Sequence, residues 1–126
     1  MDYLEVGKLG ESLAKAYLLK NKYQILFCNY RFKKFEIDIV AQQKNTIFFI
    51  EVKTRKYRLF KEEKDLTTLP EEELTPKKRS SFLKAVQMFI VKNQKYEFFN
   101  LQLCLIAIYL FDNHVPIINF YQNILE

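Results

Sequence analysis

Two β-forming runs, Phe35 to Gln42 and Thr46 to Thr54, are joined only by Gln43-Lys44-Asn45, and a link that short predicts an antiparallel hairpin. The rest of the chain must pack around it. Residues 2–21 read as a helix capped by Asp2, with Leu9, Leu13, Ala16 and Tyr17 at helical spacing. A β-rich segment from Tyr23 to Asn29 and a basic turn, Tyr30 to Lys34, precede the hairpin. Thr75-Pro76 starts a second helix whose Phe82, Ala85, Val86, Phe89 and Ile90 make one apolar stripe. An apolar strand, Phe98 to Leu110, a turn at Asp112-Asn113 and a last extended segment, Val115 to Tyr121, complete the order α-β-β-β-α-β-β. This is the pattern of one α/β domain spanning 1–126, a mixed sheet flanked by helices. Residues 55–74, with Pro70 and Glu71-Glu72-Glu73, read as an exposed charged excursion.

Composition removes several chemistries. Cys28, Cys104 and His114 are the only soft ligands, too few for a four-coordinate zinc site, and no C-x-x-C pair exists. None of the three serines sits in a G-x-S-x-G elbow. The acidic start, Met1-Asp2-Tyr3-Leu4-Glu5, is no signal peptide, and the longest apolar run, Leu103 to Phe111, is too short for a membrane helix. Two isolated thiols suit a reducing compartment, so the expected location is the cytoplasm.

Carboxylates and lysines remain as the working groups. The net charge is +5, and residues 96–126 contain no lysine or arginine. That asymmetry favours a polyanionic partner, although excess lysine is also ordinary surface chemistry.

Strand parity places Glu36, Asp38 and Val40 on one face and Ile47, Phe49, Glu51 and Lys53 on one face of the next strand. In a hairpin register with no odd slip, Asp38 lies opposite or diagonal to Glu51, and the two carboxylates would meet with Lys53 two residues along. Such carboxylates repel unless a cation lies between them, and a hard divalent ion, magnesium or manganese, suits that oxygen site. Alone, E-x-K also reads as a solvated face with a weak ion pair.

Glu11 shares its helix face with Gly7, Ala14 and Leu18, so it points inward or else escapes to solvent. Both glycines of the chain, Gly7 and Gly10, lie in this helix, where each costs about 1 kcal/mol against alanine. They would let the helix press close to the sheet. Lys78 heads the apolar stripe of the second helix and either reaches a phosphate or covers core surface.

Gly7–Glu11 (G-x-x-G-E), Asn29-Tyr30-Arg31, Glu36-Ile37-Asp38, Glu51-Val52-Lys53-Thr54-Arg55 and Lys78 together resemble the YraN-like bacterial family. That family is placed among the restriction-endonuclease-like (PD-(D/E)XK) proteins and is similar in its core to archaeal Holliday-junction resolvases. The resemblance runs over residues 5–54 and 75–124. It implies a restriction-endonuclease-like fold and metal-dependent hydrolysis of DNA phosphodiesters, branched DNA included, with DNA rather than RNA as partner and no membrane. Asp38, Glu51 and the Val52 carbonyl would hold Mg2+ or Mn2+, Lys53 would be the catalytic lysine, and Glu11 would complete the site. Arg31, Lys33, Lys34, Arg55 and Lys78 would hold phosphates. A homodimer is compatible with it. Phe35 stands where the family has glycine, and Gln102-Leu103-Cys104 where it has R-F-D. The alternative functions are a nucleic-acid-binding domain without turnover and a protein-interaction domain.

Overall fold

A computed structural model describes residues 1–58, 60 and 75–124. The element order is α1 (Tyr3–Lys20), β1 (Gln24–Phe32), β2 (Phe35–Gln43), β3 (Thr46–Tyr57), α2 (Pro76–Lys92), β4 (Asn100–Phe111) and β5 (Ile117–Tyr121). A single 3-10 turn, Gln94–Tyr96, links α2 to β4. This is the expected α-β-β-β-α-β-β order. Most of the charged excursion, including Glu71-Glu72-Glu73, lies outside the described residues; Arg55 to Tyr57, expected within it, extend β3 instead.

Local signals place the helices. The Asp2 carboxylate accepts the Glu5 N–H at 2.8 Å, and Thr75 caps α2 by accepting the Lys78 N–H at 3.3 Å, with Pro76 opening the helix. Strand boundaries moved more. Tyr30, Arg31 and Phe32, expected in a turn, continue β1, and the turn shrinks to Lys33-Lys34 with Lys33 at φ 56°. The β2–β3 link is likewise only Lys44-Asn45.

The five strands lie in sequence order, β1-β2-β3-β4-β5. Among the described strands only β3 and β4 pair in parallel, because α2 carries the chain across between them. α1 covers one face over Ile39, Ala41, Phe48, Ile50, Cys104, Ile106 and Ile108. α2 covers the other with Phe82, Ala85, Val86 and Phe89 on Ile37, Val40, Ile47 and Phe49. With both faces covered, the middle strands read as continuous apolar runs, and Cys104 to Leu110 are all buried.

Two departures open one end of the sheet. The β2–β3 ladder runs from Gln43–Thr46 only to Ile39–Ile50, so the strands part beyond it. On the other side, the pairs Cys28–Ile39 and Tyr30–Ile37 bracket Asn29, which is left-handed at φ 53°. Here β2 changes face: Ile37 packs under α2, whereas Ile39 packs under α1. Simple parity across Glu36, Asp38 and Val40 therefore fails at Asp38, since the alternation assumes an unbroken ladder.

Candidate functional site

Asp38 stands where the alternation breaks and the two strands part. Its Oδ2 accepts the Val52 N–H at 2.8 Å, so the carboxylate reaches into the fork between β2 and β3. Burial first, then Glu51, Glu11 and Glu36, push its carboxyl from an ordinary 3.8 up to about 7, against the opposing pull of the Val52 hydrogen bond. Three carboxylates, from α1, β2 and β3, thus act on Asp38.

Each comes by a different route. Glu51 lies one residue past the last β2–β3 pair, and its Oε1 is 3.4 Å from Lys53 Nζ. Both are largely covered, at 20% and 29% exposure, which argues against the freely solvated face that E-x-K alone allows. Glu11 is half-buried on α1, and burial raises its carboxyl as well, with Lys15 opposing and Glu36 adding to the rise. A Cβ on Gly10 would collide with Thr54 Oγ1, so this glycine lets α1 rest on β3 beside Glu11. Gly7 behaves differently from expectation. Beyond its own stretch of helix no atom lies within 4 Å of the place its Cβ would take, so it is not a packing glycine and instead borders open space.

That space is a groove of about 620 Å³ lined by Gly7, Lys8, Glu11, Asn29, Arg31, Glu36, Asp38, Val52 and Lys53 among others. On the α2 side a second hollow, of about 410 Å³, is lined by Glu36, Glu51, Thr75, Lys77, Lys78, Ser81 and Phe82. Glu36 borders both, while Asp38 lines the groove and Glu51 the second hollow.

Asn29 carries no expected role of its own in the sequence. With its amide nitrogen turned to the carboxylates, Asn29 donates to Glu11 Oε1 at 3.0 Å and to Glu36 Oε1 at 3.3 Å. It is a neutral donor among acids, and asparagine is one of the few residues that tolerates φ 53°. Its place at the head of the Asn29-Tyr30-Arg31 motif is the signal the sequence offers.

The cationic candidates divide. Lys53 and Lys78 line the two hollows. Arg31 also borders the groove, but its Nη2 pairs with Glu36 Oε2 at 2.7 Å. Arg55 lines a neighbouring hollow with Asp2, Tyr3 and Lys56 near the start of α1. Lys33 and Lys34 sit at the β1–β2 turn, over the rings of Phe32 and Phe35. Phe35 packs with the α2-side core, and Cys104, paired with Ile50, is fully buried in the α1-side core with its thiol pushed up to about 12. Neither residue lines the groove or the hollow.

Among the described residues no group of three or more His, Cys, Asp or Glu side chains is placed to hold a metal ion. No helix among them is long and apolar enough to cross a membrane.

Comparison with known proteins places these residues in a family. The model of uncharacterised protein family UPF0102 matches residues 10–108. A UPF0102 protein of Caldicellulosiruptor bescii is 41% identical over 90 residues, 71% of this chain and 70% of that protein. One of Carboxydothermus hydrogenoformans is 36% identical over 126 residues, 100% of this chain and 99% of its own. One of Oleidesulfovibrio alaskensis is 39% identical over 95 residues, 75% of this chain but 44% of that longer protein. The matched residues include Glu11, Asn29, Glu36, Asp38, Glu51 and Lys53, and the chain belongs to the uncharacterised protein family UPF0102.

Proposed function

We propose that the protein is a divalent-metal-dependent phosphodiester hydrolase acting on DNA, built on a restriction-endonuclease-like scaffold related to the Holliday-junction resolvases. The observation that carries this reading is Asp38 in the strand fork, bonded to Val52 and crowded by three other carboxylates, with the Glu51–Lys53 pair on the adjoining strand. Acids held this close favour a cation among them. The donor set fits magnesium or manganese: two carboxylates, Asp38 and Glu51, with the Val52 carbonyl, all hard oxygens. Mg2+ keeps several waters and takes few protein ligands, so two carboxylates and a backbone carbonyl suffice without a third acidic ligand. Glu11 would act on it from α1, across the groove.

The bound ion would supply Lewis-acid polarisation of a phosphate oxygen and a water of lowered pKa. The chain's own groups do the rest. Asp38 is oriented by the Val52 N–H on Oδ2, and Oδ1 would be its ligand atom. Lys53, held near Glu51, orients the attacking water and offsets charge that builds on the phosphate. Asn29 holds Glu11 and Glu36 in place without adding charge. Lys78, in the α2-side hollow, contacts a flanking phosphate.

Purified protein with Mg2+ or Mn2+ against linear, single-stranded and four-way-junction DNA tests this. Ion-dependent cleavage lost in Asp38→Asn supports it. Binding without cleavage under either ion leaves a nucleic-acid-binding module instead.

A further inference from the structure

Lysines on α2 continue beyond the carboxylate cleft. Lys77, Lys84 and Lys92 recur at i, i+7 and i+15, which puts them on one helix face over about 22 Å at 1.5 Å per residue. All three are exposed, and α2 contains no acidic residue. Lys77 borders the hollow that contains Glu36 and Glu51, so the row starts at the proposed site.

Two rings fix its far part. Lys84 Nζ lies 5.6 Å from the centre of the Phe35 ring, and Lys92 Nζ 5.1 Å from that of Phe32. The β1–β2 turn adds a second lysine to each ring: Lys34 at 5.7 Å from Phe35 and Lys33 at 5.6 Å from Phe32. Four like charges gathered on two aromatic faces repel one another, while each cation–π contact returns only about 0.5–1 kcal/mol at an exposed site. A linear polyanion lying along the row removes that repulsion.

We propose that Lys77, Lys84 and Lys92, with Lys33 and Lys34 of the hairpin turn, form a track for the phosphate backbone of a nucleic-acid strand leaving the carboxylate cleft. The track deepens the hydrolase reading and rests on it for the identity of the polyanion. The ring faces already carry ammonium groups, so contact is with phosphates rather than stacked bases and does not select sequence. At 3.4 Å per base pair, a 22 Å row spans about six base pairs.

The test is binding to linear duplex DNA in EDTA, where hydrolysis plays no part, across a salt series. Neutralising two phosphate contacts in Lys84→Gln/Lys92→Gln should reduce the slope of log affinity against log salt by about 1.8, at about 0.9 per phosphate. Lys84→Arg/Lys92→Arg should restore it. Lys20→Gln/Lys22→Gln, at the far end of α1, should leave it unchanged. An unchanged slope in the Lys84/Lys92 variant, or an equal loss in the Lys20/Lys22 variant, overturns the track. A protein that binds in this way but never cleaves refutes the hydrolase and keeps the track; one that cleaves with the slope unmoved does the reverse.

Discussion

The Asp38 carboxylate accepts the Val52 amide N–H at 2.8 Å, one residue beyond the last β2–β3 backbone pair at Ile39–Ile50. An acidic side chain thus takes the place of a strand partner at the sheet's fork. It satisfies a β3 donor and is held among Glu11, Glu36 and Glu51 by the same bond.

Asp38→Asn tests the conflict between that position and stability. The amide keeps an oxygen for the Val52 N–H and removes the charge. The variant should fold with a thermal midpoint at pH 8 equal to or above that of the wild type, and should show no manganese-binding heat by calorimetry. A lower midpoint with metal binding intact would mean that Asp38 serves packing alone.

Stability should depend on pH in an unusual direction. The Asp38 carboxyl is raised from 3.8 to about 7 on folding, so between those values the native state binds more protons than the unfolded chain. Stability should therefore be greatest at the acidic end of that window and fall as pH rises through it, by at most about 1.4 kcal/mol per pH unit for one proton. Glu11, also raised, acts in the same direction. Exposed Asp112, held low by Lys56, titrates below the window. Urea unfolding at several pH values between 4 and about 8 reads this trend, and Asp38→Asn should flatten it; a stability that climbs with pH would contradict it.

The two helix glycines should respond oppositely to alanine. Gly10→Ala drives a methyl into Thr54 and should cost about 1–3 kcal/mol, as overpacking does. Gly7→Ala meets no neighbouring atom within 4 Å and should stabilise α1 by about 0.5–1 kcal/mol. Denaturant midpoints of both variants decide this, and equal losses would show that the α1–β3 contact is not what Gly10 serves.

Much of this layout is legible in the residues. Capping at Asp2 and Thr75, the Phe82–Ile90 stripe and the short link before Thr46 depend on local rules, and those elements form as read. The face change at Asp38 is not legible, because it depends on the left-handed Asn29 across the ladder and on where β2 leaves β3. The two glycines look alike in sequence and differ only in what β3 places opposite them. Arg31, a phosphate ligand by the resemblance alone, is set opposite Glu36 by the β1–β2 register and pairs with it, a contact that local rules do not show.

The most direct measurement of the central claim is DNA cleavage in Mg2+ or Mn2+ by the wild type and by Lys53→Met. Methionine keeps most of the length and apolar contact of Lys53 and deletes the charge that meets the transition state. The wild type should cleave, and the variant should retain metal binding and most DNA affinity while losing about 10²-fold or more in rate. Equal cleavage by the two proteins, or none by the wild type with either ion, would contradict hydrolysis at Asp38, Glu51 and Lys53.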